Sequence, residues 1–524
     1  MQTDLQHESS SLDTDLDYPT RVTIILHNLH SALGNGVSAT PGAMDTGPVN
    51  NIVFLADCYK VGHHRQYPPG TTTIYSYFES RGGRFPYTVF FGLQYILKRW
   101  LVGPVVTEEA IEEAKDILQK GVFNEEGWRY ILKHHGGRLP VRIKAVPEGT
   151  VMPTKNVLLT VENTDPNVPW LTGYLETILV QVWYPIAVAT NSRIHKQVIH
   201  HYHDLTANNT HFVSFGLHDC GYRGVSSVET AALGGSAHMI NFKSSDTLAA
   251  NALLKKYYHE VRRVEMGGAF SEHSTVTSWG REREADAHRH AIETYFGEFV
   301  GCVCDSYNIY ACVEKILGEE LKDLILRHAK KGGMLVVRPD SGDPCEVVLK
   351  CLEILGDRFG TETNAKGYKV LPPFLKVCQA DGVNFKSLDT ILGTLMEHGW
   401  AADNVSFGSG ASLLQRLDRD TQKCAYKCSL AVIDGQDVEV FKEPITDTGK
   451  KSKRGRLTLQ MEEGVYRTFE KGTGDPDKDL LVTVFENGEL LKDYTFAEIC
   501  QRAEITPADP DIMKFLAEDQ GQRW

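Results

Sequence analysis

The sequence predicts an α/β fold: an irregular or incomplete βα barrel of parallel strands over residues 206–420, with a second α+β domain built from the N- and C-terminal segments 49–205 and 421–505. Two observations predict it. From about residue 210 onward, a short apolar run repeatedly ends in a loop rich in Asp, Gly, Ser or His, and a helix-patterned segment follows. Such alternation is the signature of βα units on a parallel sheet. The unit recurs at least seven times, which favours a barrel over a small open sheet.

The apolar runs stand in HFVSFGLHDCGYRG, HMINFKSSD, GGAFSEHS, FVGCVCDSYN, GMLVVRPDSGDP, PFLKVCQADGV and NVSFGSGAS. Between them, TLAANALLKKYYHEV (247–261) and IYACVEKILGEELKDLILRHAKK (309–331) predict helices. Each run closes on a polar group: Asp219, Asp246, His273, Asp305, Asp340, Asp381 and Ser409. A βα barrel gathers these loops on one face, where substrates bind. An Asp or Ser at such a position also serves to cap the next helix. For one position the two readings are balanced; seven in register favour a shared face.

Outside the barrel, residues 1–48 mix Ser, Asp, Gly and Thr without periodicity and predict a disordered leader, in which VTIIL (22–26) is the one stretch able to order. Residues 506–524 are a short tail. MQTDLQHESSSLDTDLD has no basic segment ahead of an apolar run, so neither a signal nor a transit peptide is expected. No apolar stretch approaches the ~20 residues that span a bilayer. These features lead to the expectation of a cytoplasmic protein without a membrane partner. The 11 cysteines are scattered, and the pairs Cys302/Cys304 and Cys424/Cys428 lack the C-x-x-C spacing of a zinc or redox site. Reduced, mostly buried thiols are expected. A net charge of −13 argues against nucleic acid as a partner. An anionic ligand would therefore need a local cluster of Arg and Lys.

Four motifs supply candidates. In VVRPDSGDP (336–344), Arg338 suits a phosphate and Asp340 suits a ribose hydroxyl or a metal; a structural Arg–Asp pair is the plainer reading. In SFGSGASLLQRLDRD (406–420), the small residues around Gly410 and Ala411 expose backbone N–H groups at the start of a predicted helix, with Arg419 two turns into it. A Gly-Ser-Gly turn alone is a weak signal. SEHST (271–275) sets His273, able to move a proton or accept a phosphoryl group, beside Glu272. The basic run KKSKRGR (450–456) reads as a solvated or nuclear-localisation-like patch, or as a phosphate holder.

In this order the pieces resemble the nicotinamide phosphoribosyltransferase family, type II phosphoribosyltransferases. The resemblance rests on ADCYKVGHHRQYPPGTTTIYSYFESRGG (56–83), FFGLQYIL (90–97), KAVPEGTVMP (144–153), VENTDPNVPWLTGYLETILVQVWYPIAVATNSR (161–193), GYRGVSS (221–227), EHST, RPDSGDP and FGSGASLLQRLDRD, and runs from about residue 51 to 500. It implies a homodimer that joins nicotinamide to 5-phosphoribosyl 1-pyrophosphate, giving nicotinamide mononucleotide and pyrophosphate on the salvage route to NAD. Mg²⁺ accompanies the pyrophosphate. ATP phosphorylates a histidine that matches His273, and Asp305 orients its imidazole. By the same match Arg223, Arg338 and Arg419 serve phosphate groups from one subunit. Arg81, Lys427, Lys442 and Lys450 match further phosphate contacts, several of them across the dimer interface. Asp246 matches the acceptor of the nicotinamide carboxamide, and Tyr59 a tyrosine that stacks on the pyridine ring. Asp340, Asp381, Gly410 and Ala411 complete the substrate-binding set.

The sequence departs from the family at the base pocket. Cys220 stands where a second stacking ring is found; Gly267, Gly268 and Phe270 replace a Ser, a small aliphatic and an Ala. Phe270 is a candidate to replace the missing ring face. Ala380 and Ala411 replace glycines, which matters where the backbone needs positive φ, and Asn308 replaces an Asp. The departures imply a widened or reshaped base pocket on an intact phosphoribosyl site. They keep open a preference for nicotinate or another pyridine, and a non-catalytic paralogue.

Overall fold

Two sheets, one parallel and one antiparallel, share the chain in a computed structural model that describes residues 49–260, 268–446, 450–506, 509 and 511–518. The expected leader lies outside the described residues, as do 507, 508, 510 and 519–524 of the expected tail, whose Ile512–Glu518 is helical. The parallel sheet has five strands in the order Leu217–Asp219, Val405–Ser409, Leu375–Gln379, Met334–Arg338 and Phe299–Val303. Alternation along each strand sorts its side chains. Val300, Cys302, Leu335, Val337, Leu375, Val377 and Phe407 pack outward into one apolar cluster with the surrounding helices. His218, Phe299, Val336 and Ser406 face the bore, where a cavity of only about 20 Å³ remains. That is about the space of one water molecule, so the barrel interior is packed, not hollow.

Two of the seven expected strand runs shrink to single parallel bridges, Ser245 with Asp219 and Phe270 with Gly301. The reason is visible in HMINFKSSD. The N–H of Met239 bonds to Gly235, and those of Asn241 and Phe242 bond to His238, so this stretch prolongs the end of the Val228–His238 helix. The donors of Met239, Asn241 and Phe242 are thus used within the helix end, and only Asp246 N–H reaches the neighbouring strand, at Asp219 O. The result is a curled, incomplete barrel. Of the expected helices, 247–261 shortens to Leu248–Tyr257. The 309–331 segment divides into α turns Ile309–Ala311 and Lys322–Lys330 around a π-helical stretch, Cys312–Glu320. Leu321 N–H there reaches back five residues to Ile316.

The antiparallel sheet draws on both flanks of the barrel. Its seven strands run Gln436–Glu439, Cys424–Ile433, Thr71–Ser80, Val157–Asn163, Val141–Ala145, Val482–Glu486 and Glu489–Leu490. The 24-residue helix Trp183–Thr206 packs against the short strand Tyr87–Val89 on one side and the helix Phe385–Glu397 of the barrel layer on the other. It buries Arg193, which pairs with Asp509 at 2.7 Å and so ties down the C-terminal segment. No helix among the described residues is long and apolar enough to cross a membrane.

Burial also fixes protonation states. His195, whose Nδ1 lies 2.7 Å from the Asn191 carbonyl, is driven down to about 4 by desolvation, as are His203 and His238. Between pH 6.5 and 4 the unfolded chain binds protons that the folded chain refuses, so stability falls as pH falls through that window. The thermal midpoint is expected to drop on acidification from pH 7 to 5. His195→Gln should flatten the slope by up to about 1.4 kcal/mol per pH unit. Superimposable pH profiles of the two proteins would refute this.

Candidate active site

The barrel mouth is organised around His273. Ser271 N–H bonds to Gly301 O (2.8 Å) and Ser271 Oγ accepts from Val303 N (2.9 Å), which lays the SEHST loop along the end of the Phe299–Val303 strand. Glu272 is the N-cap of the short helix that follows, in a capping box with Thr275. Its role is therefore to start the helix that presents His273. His273 Nε2 lies 3.0 Å from Asp305 Oδ1, and Ser341 Oγ donates to Asp305 Oδ2 at 2.6 Å. Asp305 is nearly buried (5% exposed), whereas His273 is 45% exposed. With Nε2–H given to Asp305, the lone pair of Nδ1 faces the open side. There Asp340 Oδ2 stands 4.0 Å away, and Arg338 reaches that same oxygen at 3.6 Å. Arg338 Nε is buried with no hydrogen-bond partner among the described residues, a donor suited to an anion.

On the other side of the mouth, Asp219 is wholly buried and accepts from Gly221 N (2.8 Å) and Ser245 Oγ (2.9 Å). It is a tie between loops. Its carbonyl holds Asp246 N–H at 2.9 Å, which leaves the Asp246 side chain exposed. The Cys220 thiol donates to Asp246 Oδ2 at 3.5 Å, and burial together with that carboxylate pushes the thiol well above its usual range, so it stays protonated. Below lies His218, held neutral by burial at about 4. Buried Cys378 lies between the two sides, within reach of the charges of Arg338, Asp246 and Asp340; burial, ahead of these charges, sets its thiol above the usual range.

Five of the departures from the family pattern, Cys220, Phe270, Asn308, Ala380 and Ala411, can be placed. A Cβ on Gly408 would meet Ala380 Cβ at 3.2 Å and Cys220 Sγ at 3.3 Å, so these residues form one tight wall. The Phe270 ring lies across Gly301, where any Cβ would run into it, and meets Phe299 and His218 with ring centroids 5.4 and 6.4 Å apart. It closes the bore below the pocket and does not stand opposite Cys220. Neither Ala380 nor Ala411 adopts positive φ, so neither position requires glycine. Asn308 caps the next helix through Ala311 N at 3.1 Å. Gly267 lies outside the described residues.

The turn at Tyr222–Gly224 rides on the 410–411 turn and brings Arg223 beside Gly410 and Ala411: a Cβ on Gly221 would sit 3.0 Å from Gly410 O, and one on Gly224 would sit 3.5 Å from Ala411 Cβ. Asp381 is exposed in the adjoining loop, where Gly382 turns the chain at φ +69°. The expected long helix carrying Arg419 is a correction. It stops at Leu414, because Asp418 caps a separate turn, Arg419–Thr421. Arg419 consequently leaves the barrel mouth.

Arg419 instead lines a second cationic cleft of about 630 Å³ with Arg81, Lys423, Lys427, Lys442 and Lys450. Strand register accounts for it: Tyr77 pairs with Lys427, and Arg81 N–H bonds to Lys423 O. Desolvation first, then the neighbouring Arg81, Lys442 and Arg419, lowers the Lys427 ammonium, while Glu176 opposes. Arg81 Nη2 is buried without a hydrogen-bond partner among the described residues. The expected set lacked Lys155 and Lys423, which also line this cleft; no local motif marks them. Within KKSKRGR the cations mostly pair along the sheet, Lys451 and Arg454 with Glu443, Lys453 with Glu79 and Arg456 with Glu162. Tyr59 is 63% exposed, with its ring against His63 and Lys60.

Comparison with known proteins agrees with this geometry. Residues 215–489 match the nicotinate phosphoribosyltransferase (NAPRTase) family, and residues 51–143 match the nicotinamide phosphoribosyltransferase N-terminal domain. The chain is 48% identical over 469 residues to a nicotinamide phosphoribosyltransferase of Xanthomonas campestris pv. campestris, covering 87% of this chain and 98% of the relative. It is 30% identical over 493 residues to that of Acinetobacter baylyi, covering 87% and 96%. Among solved structures, nicotinate-nucleotide pyrophosphorylase from Pyrococcus furiosus shares the fold at a TM-score of 0.55 and 14% identity, over 89% of this chain and 97% of that one. Human nicotinic acid phosphoribosyltransferase does so at 0.50 and 16%, over 86% and 92%. The His–Asp–Arg mouth thus sits on a shared architecture, and the chain belongs to the nicotinamide phosphoribosyltransferase family, a family of pentosyltransferases.

Proposed function

We propose that this chain transfers the phosphoribosyl group of 5-phosphoribosyl 1-pyrophosphate to nicotinamide, giving nicotinamide mononucleotide and pyrophosphate. The observation that carries the reading is the chain of contacts His273–Asp305, His273–Asp340 and Arg338–Asp340 at the strand ends, on a chain that belongs to this family. As the C1–oxygen bond breaks, positive charge grows on the ribose and negative charge on pyrophosphate, while the pyridine nitrogen closes on C1. Arg338 and Arg223 stabilise the departing charge more than the ground state, which is what lowers a barrier. Asp246 accepts the carboxamide N–H and opposes a carboxylate, a difference of about 2–5 kcal/mol between amide and acid.

In this proposal His273 Nδ1 takes the terminal phosphoryl group of ATP, releasing ADP, and Asp305 stabilises the imidazolium side of that exchange. Asp340 is the open carboxylate able to hold Mg²⁺ against pyrophosphate oxygens, which suits a hard cation bound mainly by its substrate. A second copy of the chain supplies the cleft of Arg81, Arg419, Lys427, Lys442 and Lys450 and the exposed Tyr59, because those groups lie apart from the mouth on one chain. A cytoplasmic location belongs to the proposal; its support is that all 11 cysteines are unpaired. A preference for another pyridine draws on Cys220, which removes one stacking face.

Three experiments test this reading. Purified chain with nicotinamide, 5-phosphoribosyl 1-pyrophosphate and Mg²⁺ is expected to form nicotinamide mononucleotide. ATP should raise the rate in wild type but not in His273→Ala. No product, with the variant matching wild type in ATP hydrolysis, would sink the proposal. Asp246→Asn should narrow the amide-over-acid ratio of kcat/KM by roughly thirtyfold or more; equal use of nicotinate before and after substitution would defeat the selectivity argument. Arg338→Met should weaken pyrophosphate binding by calorimetry by about 1.5–3 kcal/mol, the range for hydrogen bonds to a charged group. An unchanged affinity would remove Arg338 from the leaving-group side.

A further inference from the structure

A cluster unused by the reaction lies directly behind the His273–Asp305 pair. His288 on the helix Glu284–Thr294, Cys304 just beyond the strand Phe299–Val303, and Cys312 at the start of the π-helical stretch are all buried, at 1, 0 and 1% exposure. One ligand atom from each lies within 4.8 Å of the other two. Cys312 Sγ stands 3.4 Å from His288 Nε2, and Cys304 Sγ is 3.2 Å from the Cys302 carbonyl. The surroundings are apolar: Ile292, Val313 and Leu317 belong to the same packed layer. One turn before His288, Glu284 is 8% exposed and its Oε1 is buried without a hydrogen-bond partner among the described residues.

We propose that His288, Cys304 and Cys312 hold a structural Zn²⁺. Thiols are weak hydrogen-bond donors, so two thiols and an imidazole facing one another in an apolar layer satisfy each other poorly. A tetrahedral zinc site with Zn–S of about 2.3 Å and Zn–N of about 2.0 Å sets its donor atoms roughly 3.5 Å apart. The Cys312–His288 separation already has that value, and the other ligand atoms, within 4.8 Å, would close in on binding. Binding releases both thiol protons, and two thiolates neutralise the divalent ion, which avoids a buried net charge. Glu284, whose Oε1 has no hydrogen-bond partner among the described residues, stands outside this trio; as a fourth donor its carboxylate would leave the site with one net negative charge. The position has a consequence. Cys304 N–H bonds to Arg338 O at 3.1 Å and the next residue is Asp305. A bound ion would stiffen the segment that aims Asp305 at His273.

The test reads metal, not catalysis, and so stands whether or not nicotinamide is the substrate. Full-length chain is produced in zinc-supplemented medium and purified under reducing conditions without chelator. Elemental mass spectrometry is expected to find about one zinc per chain, falling on the order of tenfold in His288→Gln and in Cys312→Ser. Chain produced with Co²⁺ should show a thiolate-to-cobalt charge-transfer band in the near ultraviolet, which surface histidines and carboxylates do not give. Should the variants fail to fold, the wild-type cobalt spectrum decides alone. Folded wild type without zinc or the cobalt band overturns the proposal, as does full metal content in both folded variants.

Discussion

One nearly buried carboxylate, Asp305, carries the geometry of the barrel mouth. It takes a hydrogen bond from His273 on one loop and from Ser341 on another, and itself stands just beyond the edge strand Phe299–Val303. A buried carboxylate left unpaired is costly, so the three loops are locked into one arrangement by the need to satisfy it. That lock decides which imidazole nitrogen is free, and it sets the distance to Asp340 and Arg338. Removing either donor would loosen the site before it touched any substrate.

The cations are arranged against local stability. A chain of net charge −13 concentrates Arg81, Arg419, Lys427 and Lys442 in one cleft, where burial and then the neighbouring cations lower the Lys427 ammonium, and leaves Nη2 of Arg81 and Nε of Arg338 buried without hydrogen-bond partners among the described residues. Self-repulsion and unmet donors cost free energy in the isolated chain. A polyphosphate offsets both at once. The same groups therefore destabilise the free protein and favour the anion, a familiar exchange at functional sites.

Much of this was legible in sequence, and what was not has physical causes. The five full strands were readable because each buries one alternating face, as in MLVVR, and because a polar loop follows each. The bridge at Ser245 was not, since the helix end took the donors of Met239, Asn241 and Phe242, an effect no hydrophobic pattern records. The His273–Asp305 partnership followed from family resemblance and from both residues ending strand runs. Arg419 was misplaced because its helix breaks at a cap, Asp418, that reads equally well as an ordinary helical residue. Asn308 and Glu272 proved to be helix caps. Lys423 and Lys155 carry no local motif; only strand pairing brings them to the cleft. The trio His288, Cys304 and Cys312 escaped the cysteine-spacing test because its members come from a helix, a strand end and a π turn.

On the proposed function, the residues around Asp246 and Cys220 shift how the pyridine ring is recognised. An aromatic residue at position 220 would hold a pyridine by stacking, worth about 0.5–1.5 kcal/mol beyond its buried area and indifferent to the ring substituent. Cys220 gives up most of that and donates to Asp246 instead. Phe270 meanwhile fills the bore beneath, leaving about 20 Å³ there, so the pocket has a hard floor and a ligand has little depth in which to slide. Affinity from the ring face falls while the demand on the Asp246 carboxylate rises. Discrimination then rests on hydrogen bonding, which changes by several kcal/mol when a partner is mismatched, whereas stacking changes little. A weaker but more exacting base site is what this combination of residues builds.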